Sequence, residues 1–374
     1  MIADFETYVA TRKFGALDGL RAFSVLGVIW HHTSGDLGAK FLSNGYLGVD
    51  FFFAISGFLI TTLLLRERRS TGRISLRKFY VRRALRIFPV YYAVLAVYVA
   101  LTLVLRRGTD EGQTFLGNLV AFATYTSNWF VDLSHGESVT FYFAWSLATE
   151  EQFYLFWPPL LVGLLAICSR RTAPALIALA VLVTAEQLAT AFADTSILGW
   201  RILTSLSLPI LLAAAAAVAL DTPRGFAALA SVLGRRWSAP VVFTLLVASL
   251  FVETGRQLPQ VLMVAAVIAV TVSEHTPVHP LFGWQPLVFI GSISYGMYLM
   301  HMLSANALRL ALESHSGVLL FVSTTALTAG IAFLSFKYFE TPILALKKRF
   351  SSIDERPSGN SRAKQIAPTR PVDE

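Results

Sequence analysis

Residues 17–33 read LDGLRAFSVLGVIWHHT, a stretch apolar enough for a buried helix yet holding Asp18, Arg21, His31 and His32. Positions eleven apart on an α-helix differ by about 20° in direction and ~16 Å in height. Arg21 and His32 therefore share one face, three turns apart, with Asp18 and Ser24 near the same line. His31 points about 80° away. A polar stripe thus climbs from a charged pair to a histidine at membrane depth, where an ionisable side chain usually faces a cavity or a partner. One reading is a hydrogen-bonded structural histidine. The stripe favours a working role for His32, with His31 as a packing or supporting group.

Composition places this helix among others of its kind. The 374 residues are 55% hydrophobic and only 14% charged, with mean hydropathy +0.60, against about 25% charged in soluble chains. Apolar runs recur at 16–35, 46–65, 87–105, 142–167, 174–193, 202–220, 239–252, 258–274, 286–305 and 317–338. Each can cross a ~30 Å hydrocarbon layer or nearly so. The fold class read from this is all-α, a polytopic transmembrane helix bundle of about ten spans. The net charge of +8 does not imply nucleic acid as a partner, because Lys and Arg gather between the spans, as cytoplasmic loops require. The basic stretch RERRSTGRISLRKFYVRRALR (66–86) is expected as a cytoplasmic loop, together with SRR (169–171), the 222–237 segment and LKKRF (346–350). These agree, with both termini cytoplasmic, only if FLGNLVAFATYTSNWFV (115–131) does not cross. The first residues do not resemble a signal peptide. Cys168 is the single cysteine, so disulfides within the chain and cysteine metal sites are excluded. No internal repeat is evident. Residues 1–345 read as one transmembrane domain and 346–374 as a basic, polar, disordered tail.

Further chemistry-bearing residues punctuate the spans. Asp50 stands near an outer boundary in GYLGVDFFFAISGFLI, as an interfacial charge or a substrate contact. Ser56 and Gly57 are small residues that permit close helix approach. Glu150 and Glu151 enter the membrane below Trp145 in AWSLATEEQFYLFWPPL; a carboxylate near a histidine can orient the imidazole. Ser294, Tyr298 and His301 share a face, at offsets of four and three. His301 could bind substrate, move a proton or bond a neighbouring helix. Arg83 and Arg86 form an ordered Arg-x-x-Arg just before Pro89, and arginine forks match phosphate oxygens. No P-loop, GxGxxG or zinc spacing occurs, and no metal is expected.

In order along the chain, LDGLRAFSVLGVIWHH, GVDFFFAISGFLI, RRALRIFP, WSLATEEQFYLFWP, ISYGMYLMH and KYFETP resemble the motifs of the membrane-bound acyltransferase-3 family, from residue 17 to 342. The resemblance implies transfer of an acyl group, commonly acetyl from acetyl-CoA, to hydroxyls of surface carbohydrates or small glycosylated products, in a bacterial inner membrane. The family's arginine–histidine signature falls on Arg21 and His32, its Arg-x-x-Arg on Arg83 and Arg86, implying contact with acyl-CoA, and its motif glutamate on Glu150. The 199–218 segment lacks a glycine of the family pattern, so acceptor contacts are not carried over there. The soluble esterase-like domain of some members does not appear, so transfer is expected to be direct or through a partner.

On this reading Arg83 and Arg86 hold the CoA phosphates, His32 assisted by Glu150 deprotonates the acceptor, and the acceptor arrives from the outer half near His301 and the 106–141 segment. A covalent acyl-enzyme on His32 or Ser56 stays open. Tyr298, Asp50 and Ser56 are the remaining substrate-contact candidates. The alternatives are acylation of a glycosylated secondary metabolite such as a macrolide, and a transporter for a lipid-linked glycan, which would more often show an internal repeat.

Overall fold

The structure is a computed structural model describing residues 4–11, 14–34, 42–132, 139–167, 172–192, 197–252, 255–273, 276–313 and 316–346. Cys168, the SRR cluster and the tail beyond residue 346 lie outside them. The described residues form helices: α1 (Phe5–Ala10), α2 (Gly15–Thr33), α3 (Leu47–Thr71), α4 (Leu76–Leu105), α5 (Asp110–Gly117), α6 (Leu119–Ala123), α7 (Ser127–Phe130), α8 (Ala144–Ile167), α9 (Ala173–Phe192), α10 (Leu198–Thr204), α11 (Leu208–Leu220), α12 (Pro223–Leu233), α13 (Ser238–Ser249), α14 (Gln257–Val272), α15 (His279–Phe282), α16 (Gln285–Leu312), α17 (Val318–Ser335) and α18 (Thr341–Ala345).

Five helices are long and apolar enough to cross a membrane, and six if α10 and α11, bent by 54°, form one broken span. α13 and α14 are shorter apolar helices. α2 and α8 match the others in length, but Asp18, Arg21 and two histidines on one, and Glu150, Glu151 and Gln152 on the other, lower their hydropathy. Large apolar side chains stand outward around the bundle, among them Ile177, Val181 and Phe192 on α9 and Leu319 and Val322 on α17. A water-soluble surface rarely carries such a belt.

Close packing sets the helix neighbours. α3 lies against α11 where a Cβ on Gly57 would overlap the Ile210 carbonyl, and α2 lies against α16 where a Cβ on Gly291 would overlap the Asp18 carbonyl. Gly57 thus serves helix approach as its size suggested. Gly291→Ala is expected to destabilise the fold by about 1–3 kcal/mol, the usual cost of overpacking, read as a lowered unfolding midpoint in detergent. An unchanged midpoint would show that α2 and α16 part easily.

The basic 66–86 stretch is a helical hairpin instead of the expected loop. Gly72 ends α3 in the left-handed region (φ 76°), its N–H bonding Arg68 O at 2.8 Å. The Ser75 hydroxyl then caps α4 by accepting from Lys78 N at 3.4 Å. Buried Glu67 accepts from Ser75 N (3.3 Å) and pairs with Arg82 (3.2 Å). Arg83 and Arg86 therefore sit on ordered turns of α4, and their direction is fixed by the helix.

The 115–131 stretch breaks into short α5, α6 and α7, none long enough to cross alone. Its irregular backbone is satisfied by protein: Tyr91 OH donates to Phe122 O (2.7 Å), Tyr92 OH to Ala123 O (2.9 Å) and Gln152 Nε2 to Tyr125 O (2.8 Å). Non-helical backbone at membrane depth needs such partners. The same logic governs α8, where Pro159 has no N–H for the Leu155 carbonyl; Tyr80 OH donates to it at 2.8 Å.

Candidate active site

A cavity of about 690 Å³ opens between α2, α3, α4, α8 and α16, and six of the nine residues singled out in the sequence line it: Arg21, Ser56, Arg83, Arg86, Glu150 and Tyr298. Arg21 pairs with Asp18 at 3.2 Å. The Arg83 guanidinium lies over the Tyr154 ring, 4.4 Å from its centre. Glu150 accepts from the hydroxyls of Tyr154, one turn along its own helix, and Ser56, across on α3. The Ser56–Glu150–Tyr154–Arg83 chain thus joins three helices around one carboxylate. Three arginines in one cavity suit an anionic ligand with several phosphates.

Beside this cavity lies a pair of imidazoles. His32 is 9% exposed and His301 fully buried, and their rings stack at 5.1 Å with 26° between planes. The sequence placed both histidines in separate helices; the α2–α16 contact makes them neighbours. Tyr142 OH lies 3.1 Å from His32 Nδ1 and 3.2 Å from Nε2. His301 Nδ1 donates to the Tyr298 carbonyl, which leaves the lone pair on Nε2, an atom buried without a partner among the described residues. The Tyr298 hydroxyl bonds Ser146 Oγ at 2.6 Å, and both residues line the cavity. Tyr298, His301 and His32 therefore form a continuous run of rings from the cavity wall to the candidate base. His31 is exposed and packs on Tyr46 at 5.6 Å, turned from the cavity as the helical angle predicted.

Two expectations need correction. Glu150 does not orient His32: among the described residues its carboxylate is taken up by Ser56 and Tyr154. His32 meets the chain at Tyr142, in the turn before α8 and eight positions ahead of Glu150. Asp50 is not an exposed charge and lies outside this cavity. It is 2% exposed, paired with Arg256 at 3.1 Å, and lines a second cavity.

Two residues escaped the sequence reading, and a third, Tyr154, by residue type suits an interfacial aromatic belt but bonds Glu150 instead, one turn away on the same face. Glu340, within the quoted KYFETP, ends a π-helical turn (Phe336–Glu340), accepts from Ser335 Oγ at 3.3 Å and faces Gly296. Glu186 is a lone carboxylate in apolar α9, and it is 7% exposed. Among the described residues, no group of His, Cys, Asp and Glu is arranged to hold a metal ion.

Comparison with known proteins follows the same lines. The family model described as the acyltransferase domain, acyltransferase-3, matches residues 14–337, and the chain belongs to that family. A putative peptidoglycan O-acetyltransferase of Bacillus subtilis (strain 168), YrhL, is 31% identical over 358 residues, covering 89% of this chain and 55% of its own length. O-acetyltransferase OatA of Staphylococcus aureus (strain NCTC 8325 / PS 47) is 39% identical over 167 residues, 43% of this chain and 26% of its own. A putative O-acetyltransferase of S. aureus (strain COL) is 42% identical over 173 residues, 45% of this chain and 28% of its own. The chain thus spans between about a quarter and about half of these curated relatives. No solved structure matches it.

Proposed function

We propose that this protein is an integral membrane O-acyltransferase that moves an acetyl group from acetyl-CoA to a hydroxyl of a cell-surface carbohydrate. The observation that carries the reading is the cavity uniting Arg21, Arg83 and Arg86 with Ser56, Glu150 and Tyr298 in a chain of the acyltransferase-3 family. A carbohydrate acceptor is favoured over a macrolide because one relative is named a peptidoglycan O-acetyltransferase.

The chain crosses a bacterial inner membrane about ten times with both termini cytoplasmic; α2, α4 and α16 run outward, α3 and α8 inward. Arg21, Arg83 and Arg86 then lie toward the cytoplasm, where CoA resides, and His32 toward the outer half. The arginines hold the CoA phosphates, and the thioester lies along the cavity toward Tyr298. His32 takes the proton of the acceptor hydroxyl as its oxygen attacks the thioester carbonyl carbon. The C–S bond breaks, the acetyl group stays on the acceptor oxygen, and the CoA thiolate leaves and is protonated. A neutral imidazole suits this task. Glu150, held by Ser56 and Tyr154, keeps α3 and α8 in register and places Arg83.

Radiolabelled acetyl-CoA supplied to membranes containing the protein tests this reading. Label is expected in glycan hydroxyl esters released by mild alkali, and no ester-linked label would overturn it. Ser56→Ala removes one hydrogen bond to a carboxylate, worth ~1.5–3 kcal/mol. It is expected to lower kcat/KM for acetyl-CoA at least about tenfold, measured by initial rates; an unchanged value would remove Ser56 from the site.

A further inference from the structure

We infer that the second cavity is the acceptor subsite and that it receives one or two sugar residues of an uncharged glycan, an inference that rests on the O-acetyltransferase reading above. The cavity and its open mouth together span about 970 Å³. It lies between α3, α7, α8, α9, the α10–α11 break and the start of α14.

Its lining is polar at a depth where polar groups are costly. Two carboxylates, Asp50 and Glu186, face two guanidinium groups, Arg201 and Arg256, so the formal charges cancel. Asp50 is held by Arg256 at 3.1 Å. Glu186 accepts from Gln187 Nε2 at 2.6 Å and Thr190 Oγ1 at 3.3 Å. Amides of Asn128, Gln257 and Gln260 and the ring of Trp145 complete the wall. Neutral net charge with dense donors and acceptors fits vicinal hydroxyls, and an indole offers the apolar face a pyranose ring presents. A polyphosphate would meet the Asp50 and Glu186 carboxylates as well as the guanidinium groups.

Two features of the α10–α11 break point to a ligand. The span formed by α10 and α11 is broken by 54° at residues 205–207, and these residues line the cavity. Broken helices within membranes are tolerated where they line a cavity and commonly mark binding sites. At that break Ser207 Oγ is buried and has no hydrogen-bond partner among the described residues. The break is braced by Trp129 Nε1 donating to Ser205 Oγ (2.9 Å) and Arg201 donating to the Trp129 carbonyl (2.8 Å).

The subsite also adjoins the proposed chemistry. Phe53 lines both cavities and packs against Trp145 at 6.1 Å. At the head of α8, Tyr142 touches His32, Trp145 lines the acceptor subsite and Ser146 lines the arginine cavity. A sugar seated against Trp145 is three residues along the chain from the residue that contacts the base. In the topology proposed above, Asp50, Glu186 and Gln257 all fall in the outer half, opposite the arginines.

The test uses the full-length protein in detergent, with chitotetraose and maltotetraose as probes and whichever the wild type acetylates faster as the acceptor. Carbodiimide labelling of Glu186, mapped by mass spectrometry, is expected to be suppressed by that oligosaccharide and not by acetyl-CoA. Glu186→Gln is expected to raise the oligosaccharide KM about tenfold, the size of one lost charge-assisted hydrogen bond, while KM for acetyl-CoA stays unchanged. The unchanged donor KM distinguishes a lost acceptor contact from misfolding. Labelling suppressed by acetyl-CoA, or unsuppressed by sugar with an unmoved KM, overturns the subsite. Acetylation of neither oligosaccharide by the wild type overturns the sugar assignment. A wild type that forms no ester from acetyl-CoA in native membranes overturns the enzymatic reading itself.

Discussion

His32→Ala is expected to lower acetyl transfer by about 10²–10⁴-fold, the contribution of a positioned general base, with little change in KM for acetyl-CoA. The split follows from placement: His32 stacks on His301 and meets Tyr142, whereas the arginines line the neighbouring cavity. His32→Gln fills much of the same space and keeps a partner for the Tyr142 hydroxyl, so a fall of similar size there assigns the loss to the missing base. Tyr142→Phe removes only a neutral hydrogen bond, worth ~0.5–1.5 kcal/mol, and should act far more weakly. Initial rates of ester formation in membranes measure all three. Undiminished transfer by His32→Ala would remove the base from the mechanism.

The second large effect is expected from reversing the Arg-x-x-Arg pair. Arg83→Glu with Arg86→Glu places two negative charges where CoA phosphates are proposed to lie. Each lost charge-assisted hydrogen bond is worth ~1.5–3 kcal/mol, so KM for acetyl-CoA should rise by at least about 100-fold while acceptor KM is little changed. Arg82→Glu is the control on the same helix: Arg82 pairs with Glu67 at 3.2 Å and does not line the cavity, so its effect should fall on stability. Equal losses of donor and acceptor binding in the double variant would contradict the CoA assignment.

Much of the helical architecture is legible because hydropathy reports removal from water, whether into lipid or into the bundle, and the long apolar α3, α4, α9, α16 and α17 recur near the runs read from sequence. The start of α4 was obscured because its first turns are basic. The capping by Ser75 and the Glu67–Arg82 pair hold those turns helical, and no hydropathy average registers such local bonds. The site was legible in parts. Arg21, Ser56, Arg83, Arg86, Glu150 and Tyr298 meet in one cavity because their motifs sit on helices that pack together. Which helices touch is decided by small-residue contacts such as Gly291 against Asp18, and these cannot be paired from one sequence. The His32–His301 stack, the Ser56–Glu150 bond and the assignment of Asp50 to the second cavity therefore needed three dimensions. Glu186 was passed over because one carboxylate in an apolar run has no spacing to reveal it.

The sidedness of the reaction tests the central claim most directly. Purified protein in sealed proteoliposomes, sorted by orientation with a protease acting on the basic 222–237 segment, receives radiolabelled acetyl-CoA on one side and an oligosaccharide acceptor on the other. Ester-linked acetyl on the oligosaccharide is expected only when acetyl-CoA is supplied on the side bearing Arg83 and Arg86. Transfer that requires both substrates on one side, or that proceeds from the opposite side, would contradict the account.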